Sequence, residues 1–542
     1  MVHALETAAT DNRIQAVALD LDIFAGGGQV TLADVGRAID AVRRAKKPVI
    51  AYSSGYTDDS YQLAAHASEV WLNPLGAVLI RGPGGANLYY KGLMEKLGVT
   101  ANVYKVGTYK AATEPYTRSD MSPEARQNIQ AVASALWENW LDEVRRVRPK
   151  AQVAAYVADP EPRFAAAGGD MAKAALDAGL VDRIGDRTEF GKRLAAIVGK
   201  GPDDVPGSFR TIGYDAWTRT EPVNDDDGEI GVLTVAGEIV DGEASNGSAG
   251  GATISKILHE ALGERDLRAL VVRIDSPGGS VLASEQIRAA ILDAKSQGIP
   301  VVISMGSVAA SGGYWVATAG DQIVAEPETI TGSIGVFGII PSFQGSLQKL
   351  GIGADGVKTT PLSGEPDVLR GPSPAAGRLI QMSVENIYRR FLGIVSGARK
   401  MPTDRVDAIA QGRVWDGGTA HQLGLVDSFG SIDDAIAIAA KRAKLDPKSA
   451  GVVYLEKEPS WLDSFLESLA SDTEDESASP DAFTALADEP RQMLIRAIED
   501  AEHLLSGPAI QARCLECMAG EPPVRRSEKR STLAMLGALL GR

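Results

Sequence analysis

Two stretches decide the fold of this chain. Ala16-Val17-Ala18-Leu19-Asp20-Leu21-Asp22-Ile23-Phe24-Ala25-Gly26-Gly27 is matched by Arg268-Ala269-Leu270-Val271-Val272-Arg273-Ile274-Asp275-Ser276-Pro277-Gly278-Gly279. Each is an apolar run that closes on two glycines, and Gly27 and Gly279 lie 252 positions apart (279 − 27). Pro48-Val49-Ile50 and Pro300-Val301-Val302 repeat that offset, 252 again (300 − 48). Further on, Gly179-Leu180-Val181-Asp182 parallels Gly424-Leu425-Val426-Asp427 at 245 (424 − 179). One offset held across two separate strands, drifting only later, marks a tandem duplication.

Each copy reads alike. A strand ends in a glycine turn, an amphipathic helix follows (31–45 in one copy, 284–297 in the other), and a second apolar strand starts at Pro48 or Pro300. Strands that lack period-2 alternation and are separated by helices predict an α/β fold with parallel sheets covered on both faces. Ligands in such folds sit at the C-terminal ends of the strands, where these glycines fall. The organisation expected is a first repeat over 1–200, a linker over 201–228 rich in Pro, Gly and Asp, a second repeat over 229–445, and a tail over 446–542. The acidic, apolar-poor part of the tail, 471–490, reads as disordered. A helical period returns over 491–506.

With 542 residues the chain exceeds one hydrophobic core. Its hydrophobic fraction of 44% and charged fraction of 23% are those of a soluble globular protein. The net charge is −16 and no Lys/Arg block is long enough to track a phosphate backbone, which argues against nucleic acid as a partner. Cys514 and Cys517 are the only cysteines. A zinc site would need two further ligands at suitable spacing, so a local disulfide or a pair of idle thiols is expected and no metal or other cofactor is called for. Residues 1–13 are too short and polar for a signal peptide. The uncharged run 296–320 holds five glycines, four serines and a proline, which fits strand, turn and helix better than a membrane span. The apolar stretch 533–540 is too short to cross a bilayer.

The second copy carries the glycine turns that acyl transfer requires. Val301-Val302-Ile303-Ser304-Met305-Gly306 supplies a strand and turn, and Ala309-Ala310-Ser311-Gly312-Gly313-Tyr314-Trp315 then opens a helix. A serine there is exposed by the turn, and the helix start points N–H groups at a developing oxyanion. Ser276-Pro277-Gly278-Gly279-Ser280 ends the neighbouring strand and offers donors from a second direction. Ser311 is the candidate nucleophile, with the N–H groups of Gly279 and Gly312 as the candidate oxyanion hole. The plainer reading makes Ser311 a helix N-cap and the glycines mere turn residues.

None of the five histidines (His3, His66, His259, His421, His503) falls in these turns. His66, spaced among alanines, reads as structural. A Gly-x-Ser-x-Gly elbow is absent around Ser311. The alternative base is a lysine held neutral well below its usual value of about 10.4, which demands an enclosed, apolar setting. Lys110 lies in Val103-Tyr104-Lys105-Val106-Gly107-Thr108-Tyr109-Lys110-Ala111-Ala112-Thr113-Glu114-Pro115, a strand that turns at a glycine and reaches a lysine among small residues. At the 252 offset Ser311 corresponds to Asp59, and Lys110 to Leu362 or Pro361. Each copy thus lacks one half of the site, and a Ser–Lys dyad drawn from both copies accounts for the pair of losses.

These residues resemble the long form of signal peptide peptidase A, or protease IV, in the ClpP/crotonase fold. The resemblance rests on Arg273-Ile274-Asp275-Ser276-Pro277-Gly278-Gly279-Ser280, Ser304 through Trp315, and Thr331-Gly332-Ser333-Ile334-Gly335-Val336-Phe337-Gly338. Val106 through Lys110, Glu114-Pro115-Tyr116 and Gly412-Arg413-Val414-Trp415 extend it over roughly residues 10–445. It implies Ser311 as nucleophile, Lys110 as general base and Ser333 as the hydroxyl that orients the lysine amine. It also implies apolar peptides as substrates, notably released signal peptides, and an enzyme facing the bacterial periplasm from the inner membrane. Assembly into a bowl-shaped homo-oligomer, with a tetramer as the working count, is implied too. The match begins at the strand ending Gly26-Gly27, so the family's N-terminal membrane helix is expected to be missing. Two other readings stay open on the residues alone: a crotonase-like acyl-CoA enzyme, and a catalytically incompetent scaffold.

Overall fold

The strand Val301–Ala310 shows why the parallel arrangement forms. All ten of its residues are buried, as expected of a strand covered on both faces rather than one. It lies at the centre of a sheet ordered Val414–Asp416, Ile330–Gly332, Val301–Ala310, Ala269–Ser276, Ile230–Ala236, Val452–Leu455. Every pairing in that row is parallel except the first, which is antiparallel. The computed structural model describes the chain except for residues 23, 25, 204, 221–227, 246, 448, 457–496, 499, 502–503, 506, 515–516 and 518–542. The acidic stretch 471–490, the apolar stretch 533–540 and His503 therefore lie outside the described residues.

The first copy builds a smaller sheet of four parallel strands, Val17–Asp20, Val49–Tyr56, Glu69–Val78 and Arg183–Ile184. Helices Gln29–Arg44 and Val281–Ser296 occupy the same place in the two copies. Each buries an apolar stripe at helical spacing: Val35, Ile39 and Val42 in one, Ile287, Ile291 and Ala294 in the other. Ser280 caps the second of these helices by accepting from the Ala283 N–H.

The two copies differ where the candidate serine lies. Val301–Ala310 has ten residues and its counterpart Val49–Tyr56 has eight, so an offset of 252 at the strand start becomes 254 at its end. The residue at the N-cap of the following helix in the first copy is Thr57, not Asp59 as the constant offset implies. Asp59 lies in the first turn of that helix and accepts a hydrogen bond from the Gly27 N–H at 3.1 Å. Burial pushes its carboxyl up to about 6.

A third, mixed sheet binds the copies together, in the order Thr100–Val106, Val336–Ser342, Ile510–Arg513, Gly278–Ser280, Glu238–Val240, Ser248–Gly250. Its first strand comes from the first copy and pairs along its whole length with Val336–Ser342 of the second. Helix Pro123–Val147 adds a second tie: Asn128 Nδ2 donates to the Val414 carbonyl at 2.7 Å and Asn128 Oδ1 accepts from the Val414 N–H at 2.8 Å. Arg37 grips both oxygens of Glu326 across the same boundary, at 3.0 and 2.5 Å.

Between the copies, helix Tyr214–Thr220 docks on the N-terminal helix Val2–Thr10, with the Trp217 indole N–H donating to the Ala4 carbonyl at 3.0 Å. The second sheet runs past residue 445, because Val452–Leu455 pairs with Ile230–Ala236. Cys514 and Cys517 are joined in a disulfide. Among the described residues, no helix is long and apolar enough to cross a membrane.

Candidate active site

Ser311 follows the last residue of the central strand and stands at the N-cap of helix Gly312–Ala317. Its backbone has φ 54° and ψ −110°, a region that a residue with a side chain seldom occupies. Two backbone bonds hold it there: its N–H donates to the Gly332 carbonyl at 2.8 Å, and its carbonyl accepts from the Trp315 N–H at 2.9 Å. The hydroxyl makes no capping bond to the helix. It meets Lys110 instead, whose Nζ lies 2.9 Å from Ser311 Oγ. The plain N-cap reading of Ser311 therefore describes its backbone but not its side chain.

Lys110 reaches this point because the strand Thr100–Val106 is stitched into the second copy, from Val336↔Val106 to Ser342↔Thr100. The chain then turns at Gly107, with φ 118°, and Tyr109 N–H donates to the Gln411 carbonyl at 2.8 Å. Gly412 and Gly335 make room for the lysine. A Cβ on Gly412 would stand 2.7 Å from the Lys110 backbone nitrogen and Cβ, and one on Gly335 would stand 3.2 Å from Lys110 Cδ. The amine also donates to Ser333 Oγ at 3.0 Å and to the Ser333 carbonyl at 3.2 Å. The Phe337 ring lies 5.9 Å away. Lys110, Ser311 and Ser333 are all fully buried.

Ser333 is held in turn. It has φ 50°, and its N–H donates to the Arg413 carbonyl at 2.7 Å. The Arg413 guanidinium lies between the rings of Tyr109 and Trp415, 4.9 and 4.3 Å from their centres. Gly412-Arg413-Val414-Trp415 thus acts as a clamp that joins the lysine loop to the turn at Ser333.

The segments that carry the two candidate oxyanion donors lie close together. The strand Gly278–Ser280 lies against the start of helix Gly312–Ala317, so that a Cβ on Gly278 would stand only 2.5 Å from the Gly312 nitrogen. Gly278 and Gly279 have φ 90° and 154°, positions that favour glycine. Asp275, nearly buried, accepts from the Val308 N–H at 2.9 Å and so fixes the two strand ends together; burial raises its carboxyl above the usual range. Of the described histidines, His66 is buried in the first copy, between Asp40 at 3.1 Å and Glu143 at 3.0 Å, on a different element from the serine.

Reading the sequence missed one participant. The tail strand Ile510–Arg513 lies beside Gly278–Ser280 in the third sheet. Four residues of moderate polarity give no periodic signal, and its partners lie more than a hundred residues away.

The family comparison places this two-repeat α/β chain among the serine peptidases. The chain belongs to peptidase family S49, whose model matches residues 41–199 and 293–446, one match on each repeat. It is thus a tandem duplication of an α/β unit, matched by the family model once on each repeat. It is similar to Protease 4 of Salmonella typhi, 39% identical over 90% of this chain and 78% of that one. Protease 4 of Haemophilus influenzae is 39% identical over 80% of this chain and 71% of its own. The chloroplastic serine protease SPPA of Arabidopsis thaliana is 29% identical over 86% and 68%.

Proposed function

We propose that the chain is an endopeptidase that cuts apolar peptides through an acyl-enzyme, with Ser311 as nucleophile and Lys110 as general base. The observation that carries this reading is the 2.9 Å contact between Lys110 Nζ and Ser311 Oγ, two fully buried groups. Burial disfavours the ammonium form, and a neutral amine can take the Ser311 proton as Oγ attacks a peptide carbonyl. Ser333 accepts the amine hydrogens through its hydroxyl and carbonyl and so aims the lone pair at Ser311. The N–H groups of Gly279 and Gly312 receive the oxyanion. Lys110 then passes its proton to the departing amine, and water repeats the cycle on the ester.

Released signal peptides are the substrate class we take, as the sequence resemblance to signal peptide peptidase A implies. We place the enzyme at the periplasmic side of the inner membrane, as a homo-oligomer of four subunits, on the same family grounds. A site assembled within one chain does not need the oligomer for its chemistry; the oligomer restricts access to it.

The test is hydrolysis of an apolar peptide ester by wild type, Ser311→Ala, Lys110→Ala and the double variant. Each single change is expected to cost on the order of 10⁴–10⁶ in kcat, and the double variant no more than the worse single, because residues that act as one unit are not additive. The wild-type kcat/KM should rise with pH as the lysine loses its proton. Full activity in Lys110→Ala would dispose of the dyad.

A further inference from the structure

The loop that delivers Lys110 rests on one residue in a disfavoured conformation. Gln411 has φ 55°, a left-handed backbone that a residue with a side chain seldom takes. Its carbonyl accepts the Tyr109 N–H at 2.8 Å, one residue before the proposed base. The same oxygen stands 2.6 Å from where a Cβ of Gly107 would be, so the two turns meet backbone to backbone. Its side-chain Oε1 accepts the Thr108 N–H at 3.4 Å. Gln411 thus receives two successive N–H groups of the turn that ends in Lys110.

What holds Gln411 comes from two helices that carry no part of the proposed dyad. Tyr388, buried on helix Pro374–Arg399, donates its hydroxyl hydrogen to Asp407 Oδ1 at 2.5 Å. Asp407 lies on helix Thr403–Ile409. A phenol has one hydrogen to give, so the lone pairs of Tyr388 Oη are left to accept. They receive the Gln411 backbone N–H at 3.3 Å and its Nε2 at 3.2 Å. Nε2 also donates to Asp407 Oδ1 at 2.6 Å. These acceptors orient the amide. With Nε2 drawn to them, Oε1 turns toward the Thr108 N–H; reversed, two donors would face each other.

A separate observation marks the longer helix as a platform for the lysine. Gly377, Gln381 and Tyr388 are spaced by four and seven residues and so share one helix face. A Cβ on Gly377 would stand 3.3 Å from Tyr104 Oη, and Gln381 Nε2 donates to the Lys105 carbonyl at 3.5 Å. Tyr104 and Lys105 belong to the strand Thr100–Val106 that leads to Lys110. One face therefore supports both the strand before the lysine and the corner against which its loop turns. A buried tyrosine that merely needed a partner would be satisfied by Asp407 alone.

We propose that Tyr388, Asp407 and Gln411 form a positioning unit for Lys110, holding its amine within reach of Ser311. The inference rests on the dyad reading above. The three act through the loop 107–110 and not on the reacting atoms. Releasing the corner lets the loop relax and admits water to the amine. Hydration favours the ammonium form, so the base then needs a higher pH to lose its proton.

Peptide-ester hydrolysis across pH by wild type, Tyr388→Phe, Asp407→Asn, their double variant and Lys110→Ala tests the proposal. Near neutral pH each single network variant should lose about tenfold in kcat with KM within about twofold, since a shift of part of an ångström costs less than the ~10² of a full one. The rising limb of kcat/KM should move about half a pH unit or more to the alkaline side, so the deficit shrinks as pH climbs. The double variant should be no worse than the poorer single one. If Tyr388→Phe fails to fold, Asp407→Asn, at a half-buried position, carries the test alone. A loss that is uniform across pH, with the limb unmoved, is the mark of a purely structural role and overturns the proposal. Wild-type kcat in the network variants overturns it too. Either result leaves the dyad standing as long as Lys110→Ala is inactive, whereas full activity in Lys110→Ala removes both readings.

Discussion

Both serines at the site, Ser311 and Ser333, have positive φ, at 54° and 50°. Each such conformation costs on the order of 1–3 kcal/mol and persists only where the surroundings over-determine it. Here the restraints are the Gly332 carbonyl on Ser311 N–H and the Arg413 carbonyl on Ser333 N–H. The lysine depends on an opposite device, the absence of a side chain at Gly412, which has φ 77° and stands against the Lys110 backbone. A methyl group there would push the Lys110 loop away from Ser311 without touching either hydroxyl. Gly412→Ala is expected to lower kcat about 10²-fold, the scale of a misplacement near 1 Å, while far-UV circular dichroism stays unchanged. Equal kcat in wild type and variant would show that the close approach is unnecessary.

At the scale of elements, His66 joins three helices of the first copy. It caps Asp58–Ala65 and lies between Asp40 of Gln29–Arg44 and Glu143 of Pro123–Val147. The two carboxylates raise its pKa above the ordinary 6.5 despite burial. In return the imidazolium helps to lower Asp40, and Glu143 falls to about 2 against the cost of burial. A raised histidine stabilises the fold below about pH 6.5, and that share is lost as pH climbs through its folded value. A depressed glutamate stabilises above about pH 4.5, and that share is lost as pH falls towards 2. Wild type should therefore exceed His66→Gln in melting temperature most between about pH 4.5 and 6.5, with the gap narrowing on both sides. Parallel melting curves across pH would remove His66 from that role. These elements were readable to different depths. The buried strand Val301–Ala310 and its helix announce themselves by ten residues of apolar pattern, and so does the duplication. The shift from Asp59 to Thr57 was hidden, because two extra residues in one strand leave no mark on its composition. The tail strand was hidden too, since its place is set by an edge left open by other segments. The glycines of the site were visible as turn residues, but only the packing shows that Gly412 admits a lysine.

At the scale of the molecule, the site depends on the copies remaining joined. Asn128 satisfies both the N–H and the carbonyl of Val414, the residue next to the one that holds Ser333. Asn128→Ala would leave two buried backbone groups unpaired, and urea unfolding should register a loss of about 1–3 kcal/mol with little change in slope. A loss below a few tenths would mean that water replaces the amide. The strand Thr100–Val106 also imposes an order on events during synthesis. Lys110 is 201 residues from Ser311, and the residues that set its loop, Gln411 and Gly412, are later still. A ribosome that has just finished the serine holds a nascent chain with the proposed nucleophile and base but no frame to bring them together. On the proposed dyad, activity is expected only after translation has passed residue 415, so a prematurely terminated product of this gene would be inert, and newly made neighbours would be spared its attack.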